Sequence, residues 1–225
     1  MTTKATSRVF VSAVSDELSS YRQKVVDVLH RKGLEVCDQE HFSQGPATLI
    51  ERLRDYIQQC DAVIALIGDR CGTFPTDKEV AALGSVPVFD EYRAATNQAH
   101  AAYTQWEFFL AKQHDKKTYV FITENGFVPD APNPEYTDSR ALQQAYRKWI
   151  KQSGEHYDEF TNISKLIEDV LVVPFPDQRV EHEYSPIRLR LNPEEVEKRF
   201  DAQIKRGELM LGELRRSRQR SENYW

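Results

Sequence analysis

The segment Tyr103-Thr104-Gln105-Trp106-Glu107 holds the chain's leading candidate for chemistry, the carboxylate of Glu107. It leads into the apolar-faced run Phe108-Phe109-Leu110-Ala111, so the spacing predicts a helix with Glu107 in its first turn. A carboxylate there often does no more than complement the helix dipole. Glu107 has a second use open to it, because the surrounding elements are ordered as an open α/β sheet. In such sheets, ligands collect at the carboxyl ends of the strands. Gly68-Asp69-Arg70-Cys71-Gly72 also falls at the carboxyl end of a strand, where phosphate can meet backbone N–H groups. It matches no phosphate-binding loop, however, and Arg70 could equally pair with a nearby acid. Cys71 has no histidine in sequence context to activate it as a nucleophile. Trp106 either stacks on a ligand ring or packs in the core, and aromatic residues of amphipathic helices are more often core. As its helical neighbour, it points about 100° away from Glu107. Asp38 and Glu40 read as solvated loop carboxylates.

The elements that must position these groups are legible as alternating apolar runs and helical stripes. Arg8-Val9-Phe10-Val11-Ser12-Ala13 reads as a buried first strand. Ser15 or Asp16 caps a helix over 17–32, with Leu18, Tyr21, Val25, Val28 and Leu29 at helical spacing and Gly33 as its stop. Leu34-Glu35-Val36-Cys37 is a short second strand, followed by a polar loop over 38–45. Pro46 suits a first helical turn, and Leu49, Ile50, Leu53, Ile57 and Cys60 form the stripe of the next helix. Asp61-Ala62-Val63-Ile64-Ala65-Leu66-Ile67 has no polar alternation, as expected for a central parallel strand. The connection over 68–102 is long for a compact domain and is expected to hold a short helix near 91–101. The Glu107 helix and a strand at Thr118-Tyr119-Val120-Phe121-Ile122 follow. With right-handed crossovers, the order β-α-β-α-β-α-β gives a doubly wound parallel sheet.

Past residue 123 the pattern loosens. Pro129, Pro132 and Pro134 exclude regular structure over 127–136. Helices are expected over 139–151 and 158–170, and Leu171-Val172-Val173-Pro174 is either an edge strand or the helix end. Residues 174–192 read as polar and irregular. A helix over 193–216 has Val196, Phe200, Ile204, Leu211 and Leu214 on one side and a basic end. It packs back on the domain, leads into another, or binds a partner.

With 225 residues, 40% hydrophobic and 29% charged content, the chain has the composition of an ordinary globular protein with one good core. A net charge of −5 argues against nucleic acid as the main partner. No apolar run approaches a membrane span, and the N-terminal residues lack a secretory signal. The three cysteines, Cys37, Cys60 and Cys71, show no metal-ligand spacing and point to a reduced, cytoplasmic setting. The six histidines form no metal motif, so no metal or resident cofactor is expected.

In their shared order, Arg8-Val9-Phe10-Val11-Ser12, Gly33-Leu34-Glu35-Val36 and Asp61 to Gly68 resemble the framework of a Toll/interleukin-1 receptor (TIR) domain. Val9 to Ser12, Gly68 to Gly72 and Tyr103 to Glu107 resemble, more closely, bacterial TIR-like domains long catalogued as a domain of unknown function at the front of larger proteins. The resemblance covers about residues 8–123 and loosely extends to 175. It implies a flavodoxin-like, TIR-related α/β domain over 8–175, with a linker and amphipathic helix over 176–225. It further implies cleavage of the nicotinamide–ribose bond of NAD+, as substrate rather than cofactor, by an antiviral effector activated by self-assembly. Glu107 would be the catalytic residue. Ser12, Ala13, Val14, Asp38, Gly68, Arg70, Tyr103 and Trp106 would bind the substrate, and the C-terminal helix would serve self-association or a partner protein. A non-catalytic signalling or scaffold module, or a related nucleotide-binding domain, is the alternative.

Overall fold

The computed structural model describes residues 6–37, 47–131 and 137–176. All of them fall within the compact unit Met1–Gln178. The 38–45 loop, Pro46 and the helix expected over 193–216 lie outside the described residues.

Strand β1 (Arg8–Ser12) leads into helix α1 (Ser15–Arg31), which Gly33 ends in a left-handed conformation (φ 76°). Strand β2 (Glu35–Cys37), helix α2 (Leu49–Gln59) and the fully buried strand β3 (Ala62–Ile67) follow. The cap of α2 is Thr48. Its hydroxyl accepts the Glu51 N–H, while the Glu51 carboxylate accepts the Thr48 N–H at 2.9 Å.

The connection after β3 differs from expectation. It holds two helices, α3 (Asp77–Ala82) and α4 (Pro87–Thr96), rather than one near 91–101. Pro87 occupies the first turn of α4, where its missing N–H costs nothing, and Asn97 closes the helix at φ 57°. Helix α5 (Tyr103–Gln113) leads to β4 (Lys117–Thr123), and then to α6 (Thr137–Gln152). The helix expected over 158–170 is instead a strand followed by a helix, β5 (Tyr157–Phe160) and α7 (Ile163–Val172). Asn162 sets that boundary by accepting the Lys165 N–H at 3.1 Å. Leu171 and Val172 are the helix end, not an edge strand.

The five strands are all parallel, in the order β2-β1-β3-β4-β5. This is a flavodoxin-like α/β fold. Strand alternation divides the core into two layers. Val9, Val11, Ile64, Leu66 and Phe121 meet Leu18, Val25 and Leu29 of α1 and Leu166 and Val170 of α7. On the opposite face, Ala65, Ile67, Val120 and Ile122 meet an aromatic layer built from Phe89, Tyr92, Trp106, Phe108, Phe109, Tyr146 and Trp149. Residues 105–111 are buried all round α5, so this helix is an interior element rather than a surface one.

Candidate functional site

In the order 2-1-3-4-5 the chain reverses direction between β1 and β3, and crevices form outside the carboxyl ends of such a pair. A narrow cleft lies there, with enclosed room of about 10 Å³, enough for about one water. Ser12 and Val14 line it from the end of β1, with Ala65 to Ile67 and Arg70 contributed by β3 and the turn beyond. Thr104 of α5 and Gln143 and Tyr146 of α6 close it from the helical side.

Two buried polar assemblies hold the cleft walls. In the first, Glu17 on α1, only 2% exposed, accepts the backbone N–H groups of Asp69 (2.8 Å) and Arg70 (3.0 Å). These bonds tie the turn after β3 to α1. Desolvation pushes the Glu17 carboxyl above its ordinary range, against the two backbone hydrogen bonds. Gly68 leaves room for it, because a Cβ there would overlap the Glu17 carboxylate and displace it.

The second assembly is an amide relay. The Ala102 N–H donates to Gln105 Oε1 (3.1 Å), Gln105 Nε2 to Gln143 Oε1 (3.0 Å), and Gln143 Nε2 to the Gly68 carbonyl (2.9 Å). It joins the start of α5 to α6 and the end of β3. Around the rim, Arg147 donates to Thr123 Oγ1 (3.0 Å) and to the Thr123 carbonyl and pairs with Asp69. Arg70 donates to the Ala131 carbonyl at 2.7 Å.

Glu107 stands in the second turn of α5, as its fifth residue, and not in the first turn. It is 0% exposed. The correction has a simple cause: the helix begins at Tyr103, capped by the Gln105 side chain rather than by an acid. Glu107 lies one turn beyond Thr104, the cleft-lining residue of the same helix, and in electrostatic reach of Tyr146. It is not itself among the cleft's lining residues.

Of the residues expected to bind substrate, Ser12, Val14 and Arg70 come together in the cleft, and Gly68 borders it through its bond from Gln143. Ala13 faces the opposite layer with Val9 and Val11. Tyr103 is directed to the Glu79 carboxylate (3.2 Å). Trp106 packs in the aromatic layer, its ring centroid 4.4 Å from Phe89 and 5.7 Å from Phe109. Asp38 lies outside the described residues. Cys71 is a buried thiol whose pKa burial pushes up. Glu17, Gln105, Gln143 and Tyr146 were not singled out by sequence. Only Glu17, polar in the first turn after a buried strand, carries any local signal.

Among the described residues, no group of three or more histidine, cysteine or acidic side chains could hold a metal ion. No helix among them is long and apolar enough to cross a membrane.

The fold and cleft together define a flavodoxin-like α/β domain with its crevice at the β1/β3 switch point. The family profile of DUF4062, a domain of unknown function, matches residues 8–172, and the chain belongs to that family. No curated protein sequence matches it. Among solved structures it is similar to the CMP N-glycosidase BcmB of Clostridium botulinum. The identity is 17% over 74% of this chain and 99% of that one, with a TM-score of 0.39. It is also similar to the diflavin flavoprotein A3 of Nostoc sp., at 14% identity over 74% of this chain and 88% of that one, with a TM-score of 0.31.

Proposed function

We propose that this domain hydrolyses the N-glycosidic bond of a nucleotide, with NAD+ as the substrate and Glu107 as the essential carboxylate. The observation that carries the proposal is the burial of Glu107 one helical turn from Thr104, beneath the switch-point cleft. Breaking the nicotinamide–ribose bond develops positive charge on the ribose, as in glycoside hydrolysis. A carboxylate fixed in a water-poor site stabilises that charge more than one in solution. Nicotinamide leaves as a neutral molecule and needs no general acid. Water supplies the hydroxyl of the ADP-ribose product, and one proton is released. In this reading the domain is a TIR-like antiviral effector whose activity rises with self-association.

A second reading is favoured by the cleft itself. Its enclosed room of about 10 Å³ holds about one water, far less than a small-molecule site needs, and Glu107 does not line it. Catalysis and nucleotide binding therefore both require the walls to separate: a domain that opens without chemistry is a nucleotide-binding module, and one that never opens is a scaffold module.

Nicotinamide release from NAD+, followed at low and high protein concentration for wild-type and Glu107→Ala, separates the readings. A pyrimidine nucleoside monophosphate is run in parallel. Release by wild-type and a loss of at least about 100-fold in the variant is expected. No release from either substrate at any concentration would end the enzyme reading, and equal release from both proteins would end the role of Glu107.

A further inference from the structure

Tyr146, a member of the aromatic layer, combines three properties. It is 2% exposed, and its hydroxyl has no hydrogen-bond partner among the described residues. Its ring is held edge-on by Phe108, Phe109 and Tyr92 at centroid distances of 6.3, 6.0 and 6.0 Å, and stacks on Trp149 at 6.3 Å, so the hydroxyl is fixed. It also lines the cleft. A buried hydroxyl without a partner costs stability unless something else supplies one.

Gln143, beside it, is oriented by the relay. Its Oε1 accepts from Gln105 and one Nε2 hydrogen goes to Gly68, which leaves the second Nε2 hydrogen to offer. Thr104 spends its hydroxyl hydrogen on the Cys71 carbonyl (3.1 Å) and retains acceptor capacity. Ser12 contributes another hydroxyl.

We infer that Tyr146 and Gln143 are ligand-contacting donors, and that the cleft, whose closed form has room for about one water, takes the uncharged, hydroxyl- and carbonyl-bearing part of a nucleoside when its walls separate. The charges place this part rather than a phosphate in the interior. Glu107 lies in electrostatic reach of the Tyr146 hydroxyl, and Glu17 braces the opposite wall, so an anion at the floor would meet like charge. The guanidinium groups of Arg70 and Arg147 stand towards the rim, where phosphate oxygens would find them. Burial and the neighbouring acid keep the Tyr146 phenol protonated, as a donor must be. The inference deepens the proposed function, and rests on the cleft being its ligand site without requiring that the ligand be NAD+.

The test is a thermal-shift series on the full chain with NAD+, CMP, cytidine and inorganic phosphate, comparing wild-type, Tyr146→Phe and Tyr92→Phe. Tyr92 is the control: its hydroxyl is buried in the same aromatic layer, with Thr96 beside it, but it does not line the cleft. Tyr146→Phe should keep or raise the melting temperature without ligand, and weaken the nucleoside-bearing ligand about five- to tenfold. Tyr92→Phe should bind as wild-type does. Stabilisation of wild-type by cytidine or CMP but not by NAD+, lost in Tyr146→Phe, would support the inference while removing NAD+ as substrate. Equal binding by Tyr146→Phe and wild-type would overturn it. So would a melting temperature several degrees lower for the unliganded variant, or stabilisation of wild-type by phosphate alone or by nothing in the series.

Discussion

Glu17 on α1 and Glu107 on α5 are 2% and 0% exposed, on opposite faces of the same sheet, and the protein treats them differently. Glu17 spends both oxygens on the backbone of the turn after β3. Two charge-assisted bonds of this kind offset much of the cost of burying a carboxylate, and the result is a brace between β3 and α1. Glu107, flanked in sequence by Trp106 and Phe108 of the aromatic layer, lies one turn from cleft-lining Thr104 and in the field of the Tyr146 hydroxyl. Glu17 shapes a wall, whereas it is the proposed function that gives Glu107 a substrate to act on. The comparison also shows why burial alone does not mark a catalytic acid. Glu17 is buried for geometry, and its oxygens are already committed.

The comparison breaks most visibly at Glu107. Glu107→Gln preserves volume and removes the charge, so turnover should fall at least about 100-fold with the fold retained, read by nicotinamide release and circular dichroism. Gly68→Ala tests the brace from the opposite direction. The added methyl displaces the Glu17 carboxylate from the Asp69 and Arg70 N–H groups, at a cost of about 2–4 kcal/mol in denaturant unfolding. In Gly68→Ala/Glu17→Ala the two losses should be far from additive, because both act on the same contact. Additive losses would mean that Gly68 and Glu17 do not share a site.

A smaller effect is expected in the pH dependence. Burial raises the folded-state pKa of Glu17 above its ordinary carboxylate value, so the folded protein binds a proton more tightly than the unfolded chain. The stability of wild-type relative to Glu17→Gln should therefore grow as pH falls from neutral towards 4.5, and fade as pH rises through the folded pKa. Glu51 and Glu79 behave in the opposite sense. Their bonds to Thr48 and Thr76 hold their carboxyls below the usual range, and their contributions are lost as pH falls. The smallest effect is at the α2 cap, where Thr48→Ala should cost about 1 kcal/mol and leave any activity unchanged.

The parts of the fold legible in the sequence are those whose signals are local. The unbroken apolar run of β3, the stripes of α1 and α2 and the stop at Gly33 need no tertiary context. Strand β5 was hidden because Tyr157-Asp158-Glu159-Phe160 is an edge strand that buries only Phe160, so its polar residues read as the start of a helix. Strand and α7 together replace the expected 158–170 helix. The position of Glu107 along the chain drew notice as an acid near a helix start, yet its turn was misjudged because no acidic or hydroxyl cap marks where α5 begins. The relay was not legible at all. Gln105 and Gln143 are 38 positions apart, and nothing in either segment signals the other. In sequence Gly68 reads as a ligand-binding position at the carboxyl end of a strand, and its close approach to Glu17 across 51 positions is a product of the fold.

The ends of the described fold meet. The Ser7 hydroxyl donates to the Pro176 carbonyl at 2.5 Å, and the Tyr119 hydroxyl donates to the Pro174 carbonyl beside it. The chain thus enters and leaves this domain through one port. A short peptide could close residues 6–176 into a ring, and the same geometry lets the domain be carried within a longer polypeptide without separating its neighbours by the domain's width. A load applied between the two ends would pull first on the Ser7–Pro176 contact, before it reaches β1.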